Sequence, residues 1–130
     1  MPQQINLVVK NGAGVDQTFT ALSPSAGDGG MALWALKSGT IAAVFPTLTA
    51  VATRNSNDVR TLRVKFSLPN SYNSAVTGLT VVSSKVLMDA TFKIPADFPE
   101  ALKDDWVAYA TNLLNTALLK SMIRDGLSAT

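Results

Sequence analysis

The residues of this sequence that could do covalent chemistry are two adjacent pairs, Asp104-Asp105 and Ser84-Lys85. The chain contains no cysteine and no histidine, so it lacks a thiolate nucleophile and the commonest general base and zinc ligand. Adjacent residues point about 100° apart on a helix and to opposite faces of a strand, so neither pair converges on one reacting atom. We therefore predict a protein that is not an enzyme, uses no metal or cofactor and takes no small-molecule substrate.

Basic residues offer a different chemistry, the binding of phosphate groups. Cations outnumber carboxylates between positions 54 and 93, and several of them alternate with apolar residues, which places them on one face of neighbouring strands. These alternating cations are Arg63, Lys65, Lys85 and Lys93. Such a face binds nucleic-acid phosphates by releasing counterions, although an ordinary solvated face gives the same pattern.

The elements that would position these cations are β-strands in the part of the chain before residue 95. Alternating and β-branched segments, separated by turn-forming residues, predict two hairpins, a short strand between them and a long last strand. The predicted strands span residues 5–10, 17–22, 31–37, 41–54, 61–68 and 79–94. Turns are predicted at 11–14 and 55–58, and the polar segment 69–78 is predicted to be a long exposed loop.

Helical periodicity replaces alternation after Pro95. Apolar residues recur three and four positions apart over residues 98–113, and a second apolar run covers 118–123. Asp97, followed three residues later by Glu100, predicts a capping-box start for the first helix. Strands first and helices last predict an α+β fold in which helices cover one face of an antiparallel sheet.

The composition predicts one domain that covers part of its surface with a second copy. A chain of 130 residues fits a single domain, residues 1–130. Apolar residues make up 47% of the chain and charged residues 15%, so some apolar surface is expected to be buried in a homodimer. No apolar stretch approaches the roughly 18 residues that a membrane span needs. We expect a soluble protein without a membrane partner.

Two runs of residues carry a resemblance to a known family, the coat proteins of single-stranded RNA bacteriophages (leviviruses). The C-terminal run DATFKIPADFPEALKDDWVAYATNLLNTALLKSMIRDG resembles the last strand, Pro-containing junction and two helices of that family. The run VATRNSNDVRTLRVKFSLP is similar to its central hairpin. The resemblance spans nearly the whole chain. It implies an N-terminal β-hairpin, an antiparallel five-stranded sheet and two C-terminal helices that interlock with a dimer partner.

In function, the resemblance implies a capsid protein that dimerises and assembles into an icosahedral shell in the bacterial host cytoplasm. It implies packaging of the single-stranded RNA genome in the virion, and binding of an RNA stem-loop that represses replicase translation. By strand position and face, the implied RNA-binding residues are Thr49, Val51, Thr53, Arg63, Lys65, Lys85, Leu87 and Asp89. The expected dimer interface contains Trp106, Tyr109, Leu113, Leu118 and Met122.

The sequence departs from the family pattern at positions that bear on RNA recognition. Leu87 stands where several members have a tyrosine that stacks on an unpaired base, a contact worth about 1–3 kcal/mol. Val51 replaces a position that is often polar, and the cysteines that cross-link a loop in some members are missing. A stem-loop would therefore be recognised without that stack.

Two other functions fit the same residues and remain alternatives to a genome-packaging capsid protein. They are a non-viral dimeric RNA-binding module and a shell protein without RNA specificity.

Overall fold

The computed structural model describes residues 3–38 and 41–130 and confirms the α+β class. Contacts divide the chain into two compact units, Met1–Ile94 and Pro95–Thr130, and one domain over residues 1–130 stays a prediction. The strands are β1 (Leu7–Lys10), β2 (Asp16–Ser23), β3 (Met31–Ala35), β4 (Thr47–Arg54), β5 (Val59–Asn73) and β6 (Thr80–Pro95). The helices are α1 (Glu100–Leu114) and α2 (Ala117–Asp125).

The strands form one sheet in the order β1-β2-β3-β4-β5-β6. This sheet has one strand more than the five-stranded sheet that the family resemblance implies. The additional strand arises because β2 has two neighbours in succession: residues 16–19 pair with β1, and residues 20–23 pair with β3. The register shifts between Ala21 and Ser23, where the side-chain oxygen of Asn6 accepts the Ala21 N–H at 2.9 Å. The N-terminal hairpin therefore continues the sheet.

Both predicted turns form, and an asparagine closes each of them in the same way. The side-chain oxygen of Asn11 accepts the N–H groups two and four residues further on, at 2.9 and 3.0 Å. Asn55 does the same at 2.9 and 3.0 Å. Asp58 completes the second turn with a φ of 56°, in a region that Asp and Asn adopt more readily than most residues. These turns fix the pairing of β1 with β2 and of β4 with β5.

The second hairpin differs from its prediction at both ends. The first half of segment 69–78, which was expected to be a loop, is strand, because β5 continues to Asn73 and only residues 74–79 connect it to β6. Pairing with β4 stops at Ser67, so Pro69 lies where β5 has one neighbour and its missing N–H is tolerated. The first strand of this hairpin, β4, begins at Thr47 and not at residue 41, because residues 42–44 form a 3₁₀ turn.

Alternation places apolar residues of β4 and β5 on one side of the sheet, here called the apolar face. In the register of the two strands, Leu48 lies opposite Phe66 and Ala50 lies opposite Val64. The Phe66 ring packs edge-to-face against the ring of Phe19 in β2, with centroids 5.9 Å apart. Among the described residues, the buried apolar side chains are Phe19, Ala32, Ala35 and Val44. The core of a single chain is therefore thin.

The capping-box prediction for the first helix is wrong. α1 begins at Glu100, its N-cap residue is Pro99, and no side chain caps it. Asp97 lies in the turn before the helix. A proline disfavours helical conformation in the residue that precedes it, so Phe98 cannot belong to the helix that Asp97 was expected to cap. The helix therefore begins after the proline.

Gly30 lies in the loop that leads into β3, and a side chain added there would test how tightly the loop packs. A Cβ atom at this position would lie 2.8 Å from the backbone nitrogen of Ala26 and 3.0 Å from the hydroxyl oxygen of Ser25. We predict that Gly30→Ala lowers the free energy of unfolding by about 1–3 kcal/mol, measured by urea denaturation. The matched control is Gly12→Ala, because a Cβ there would meet no atom within 4 Å. Equal losses in the two variants would contradict this packing.

Candidate nucleic-acid interface

The register between β4 and β5 collects hydroxyl groups and cations on the side opposite the apolar face. The opposed pairs are Thr49 and Lys65, Val51 and Arg63, and Thr53 and Thr61. Directly opposed residues of an antiparallel pair point to the same side, so these side chains share one surface, here called the polar face. Alternation in the sequence predicted a shared side for the β5 residues, and the family resemblance implied the β4 residues; the register places both sets on one side.

β6 joins the polar face through an ion pair with β5. The Nε atom of Arg63 donates to Oδ1 of Asp89 at 3.1 Å, and its Nη2 atom donates to Oδ2 at 2.7 Å. This bidentate arrangement matches the flat guanidinium to the flat carboxylate. Residues two apart on a strand share a side, so Lys85 and Leu87 lie on the same side as Asp89. The polar face therefore extends over three neighbouring strands.

The ion pair also sets the protonation of its two members. The hydrogen bonds and charge of Arg63 hold the pKa of the Asp89 carboxyl below its usual value, and the charge of Lys65 adds to this lowering. Hydrogen bonding to Asp89, followed by its charge, raises the pKa of Arg63. Both groups are therefore ionised at neutral pH. Their side chains are 53% and 45% exposed, so solvent screens the pair and its contribution to stability is small.

A shallow depression of about 280 Å³ lies beside this ion pair. Its lining combines three hydroxyl groups, one ammonium and one carboxylate with apolar residues. The lining residues are Thr47, Thr49, Lys65, Phe66, Ser67, Leu87, Met88 and Asp89. Such a lining suits a flat group with an apolar surface and polar edges, which is the chemistry of an unpaired nucleobase.

The structure brings together only some of the residues predicted to contact RNA. Thr49, Lys65, Leu87 and Asp89 line the depression, and Arg63 adjoins it through Asp89. The remaining three, Val51, Thr53 and Lys85, lie on the polar face outside the depression. The predicted set is therefore a surface with one recessed part.

Two hydroxyl residues of the depression were not among the predicted contacts. Thr47 lies two positions before Thr49, and Ser67 lies two positions after Lys65, so the same alternation could have identified both. The ion pair between Arg63 and Asp89 had no comparable signal. It joins residues 26 positions apart, and only the pairing of β5 with β6 brings them together.

The residues predicted to form the dimer interface lie along the two helices. Trp106, Tyr109 and Leu113 follow one another at helical spacing in α1, and Leu118 and Met122 are one turn apart in α2. No residue of either helix is buried. Tyr109 is 67% exposed and Leu118 is 62% exposed. The single chain therefore leaves a large part of this apolar surface in contact with water.

Two further features concern the described part of the chain. Within residues 3–38 and 41–130, no group of three or more acidic side chains is placed to hold a metal ion. In the same residues, no helix has the length and apolar character that crossing a membrane requires.

The fold is that of solved capsid subunits. The chain is similar to the virus-like particle of bacteriophage NT-214, with a TM-score of 0.80 and 20% identity over 97% of this chain and 96% of that chain. For the virus-like particle of Beihai levi-like virus 21 the TM-score is 0.85, at 17% identity over 99% of each chain. For the bacteriophage GA protein capsid the TM-score is 0.68, at 18% identity over 95% of each chain. These likenesses define the class of fold.

The family follows from the sequence itself. A model of the levivirus coat protein family matches residues 2–129, so this chain belongs to that family. A search of the curated proteins found no match to this chain. The chain is a structural subunit of a viral capsid and a component of the virion, a role without catalysis. The resemblance in the two quoted runs is thereby confirmed.

The ion pair yields a prediction about pH. The pKa of Asp89 is lowered in the folded chain, so the pair is complete above the ordinary carboxyl value of 3.8 and is lost as pH falls through the lower folded value. A ¹³C titration of the Asp89 carboxyl should give a midpoint below 3.8. Arg63→Gln should move the midpoint up towards that value, whereas Lys10→Gln, on β1, should not. A midpoint that Arg63→Gln leaves unchanged would contradict the pair.

Proposed function

We propose that this coat protein packages the single-stranded RNA genome of its virus on the polar face of the sheet. The observation that carries the proposal is the gathering of hydroxyl groups and cations from neighbouring strands on the side opposite the apolar face. Lysines there bind phosphates by releasing counterions, and the threonine hydroxyls hydrogen-bond to phosphate and sugar oxygens. Contacts of this kind depend little on base sequence, as packaging of a whole genome requires.

Lys65 and Lys85 are the best candidates for the phosphate contacts. Among the ion pairs of residues 3–38 and 41–130, Arg63 is paired with Asp89, and none involves either lysine. Both lysines are exposed. A phosphate approaching either lysine does not have to break an ion pair first, although the charge of Asp89 acts on Lys65. Lys93, which lies on the same side of β6 as Lys85, is also exposed and outside those ion pairs, so it adds a third cation further along the strand.

We further propose that the packaging unit is a homodimer, and the free edge of β6 supports this. β6 spans Thr80–Pro95 and is the last strand of the sheet. Val86 and Leu87 on it are 68% and 73% exposed. A long, partly apolar edge strand tends to pair with another chain, and a two-fold axis would pair β6 with β6 of a second copy. One sheet would then continue across the dimer.

The helices would supply the other part of the dimer contact. The apolar stripe consists of Trp106, Tyr109, Leu113, Leu118 and Met122, none of which is buried in the single chain. Packing this stripe against a second copy removes apolar surface from water, which stabilises the dimer by roughly 25 cal/mol for each Å² of apolar area.

Dimers of this kind would assemble into an icosahedral shell around the RNA in the cytoplasm of the bacterial host. Chains with this fold form the virus-like particles of bacteriophage NT-214 and of Beihai levi-like virus 21. The likeness in fold over nearly the whole length of those chains supports the same mode of assembly here. A shell that assembles without any preference for RNA is the alternative.

The depression favours a second activity, recognition of an RNA stem-loop that represses replicase translation. An unpaired base of the loop would enter the depression and meet the hydroxyl of Thr49 and the carboxylate of Asp89. Leu87 would contribute apolar contact without the aromatic stack. Hydrogen bonds to the base edge would then carry most of the discrimination.

The packaging proposal is tested by removing two unpaired lysines. In Lys65→Ser/Lys85→Ser, particles should still form but contain less nuclease-protected RNA, measured by the ratio of absorbance at the nucleic-acid and protein maxima. For the unassembled protein, the slope of log affinity against log salt should fall by about 0.7 for each lysine. The matched control, Lys10→Ser, removes one positive charge from β1, at the opposite end of the strand order from β6, and is compared with Lys65→Ser alone.

Two outcomes would contradict packaging by the polar face. RNA content that is unchanged in the double variant would mean that these lysines do not hold the genome. A loss in Lys10→Ser equal to that in Lys65→Ser would mean that net charge matters and its position on the sheet does not.

The dimer proposal is tested by placing a charge in the helical stripe. Leu118→Asp should shift purified protein from dimers to monomers in sedimentation measurements, because a buried carboxylate without a partner is strongly unfavourable. The matched control is Val76→Asp, at a site that is 94% exposed in the connection between β5 and β6. Dimers that persist in Leu118→Asp with native helix content would rule out this interface.

A further inference from the structure

Asp89 is an unexpected residue on a surface that binds a polyanion. Its carboxylate lies on the polar face, lines the depression and repels phosphates. Both of its oxygens accept hydrogen bonds from Arg63, at 3.1 and 2.7 Å. It therefore adds one negative charge to the face and also engages one of the cations.

Stability does not account for this carboxylate. The two side chains are 53% and 45% exposed, and exposed ion pairs contribute little to folding because water screens them and the side chains lose freedom. The pair is nevertheless well formed, with two hydrogen bonds in the bidentate geometry that Arg and carboxylates prefer. The position of Asp89 on the polar face suggests instead that the pair affects the binding of RNA.

The pair discriminates between two kinds of RNA group. A phosphate has only acceptors, so it can reach the two N–H groups that Asp89 engages only by displacing Asp89. The other N–H groups of Arg63 remain open, but the neighbouring carboxylate offsets their charge and repels the phosphate. A base edge carries N–H donors, and the Asp89 oxygens have lone pairs left to accept them. The unpaired lysines show no such preference. Asp89 therefore makes this part of the face unfavourable for backbone and acceptable for bases.

We propose that Asp89 is a specificity-determining residue of the polar face, which withholds the bidentate edge of Arg63 from phosphates, offsets its charge and so lowers the affinity for polyanions that offer no base. This inference rests on the proposed binding of RNA. It concerns the balance between base and phosphate contacts, whereas packaging itself depends on Lys65 and Lys85.

The test compares Asp89→Asn with the unaltered full chain, held below the concentration at which it assembles. The probes are single-stranded oligouridylate and oligocytidylate of equal length, and inorganic polyphosphate as a polyanion without bases. Asp89→Asn should bind polyphosphate more tightly, and its preference for RNA over polyphosphate should fall by at least about fivefold. The slope of log affinity against log salt should steepen by about 0.7, for one added phosphate contact.

Two further variants separate release of Arg63 from simple loss of a negative charge. In an Arg63→Gln background, Asp89→Asn should no longer steepen the salt dependence, because no guanidinium is released. The matched control is Asp16→Asn, which removes a carboxylate from another exposed ion pair, Lys10–Asp16 at 2.8 Å. This control should leave the preference for RNA over polyphosphate unchanged.

The possible failures are distinguishable. If the unaltered chain binds none of the oligonucleotides, the proposed packaging function and this inference both fail. If it binds them and Asp89→Asn leaves the preference unchanged, only the role of Asp89 is overturned. The role of Asp89 is also overturned if Asp16→Asn changes the preference as much as Asp89→Asn does. It is likewise overturned if Asp89→Asn has its full effect in the Arg63→Gln background.

Discussion

The pairing register of β4 with β5 is the constraint on which the other features of the sheet depend. Thr49 opposite Lys65 places polar groups on one side, and Leu48 opposite Phe66 places apolar groups on the other. A slip of one residue would exchange the two sides, because strand side chains alternate. The Asn55 turn and the contact between Phe66 and Phe19 both hold this register. The chemistry of the polar face is thus a consequence of how the hairpin closes.

Local patterns in the sequence predicted the order of elements, the two turns and the grouping of Arg63 and Lys65 on one face. They failed where distant parts of the chain decide the outcome. They predicted six strands but did not predict that β2 pairs with two neighbours and so joins the N-terminal hairpin to the sheet. The strand beyond Pro69 is possible because β5 has lost one neighbour there. The capping box failed for a local reason, since Pro99 sets the start of the helix. The ion pair of the polar face required knowledge of the β5–β6 pairing.

The distribution of apolar groups fits a subunit of a larger assembly. Few apolar side chains of the described residues are buried, no residue of either helix is buried, and β6 ends the sheet with exposed apolar side chains. Membership of the levivirus coat protein family explains these features, because a capsid subunit is stable in contact with its neighbours. The polar face then has a different task from the rest of the surface. In the function proposed above, its lysines and hydroxyl groups bind RNA.

The proposed function requires that the polar face lines the interior of the shell, against the RNA. Cryo-electron microscopy of particles assembled from this chain alone, at a resolution that shows side chains, is the sharpest test of this placement. We expect closed shells in which Lys65 and Lys85 point to the lumen, next to RNA density. Shells with these lysines on the outer surface, or a protein that never forms closed particles, would contradict it.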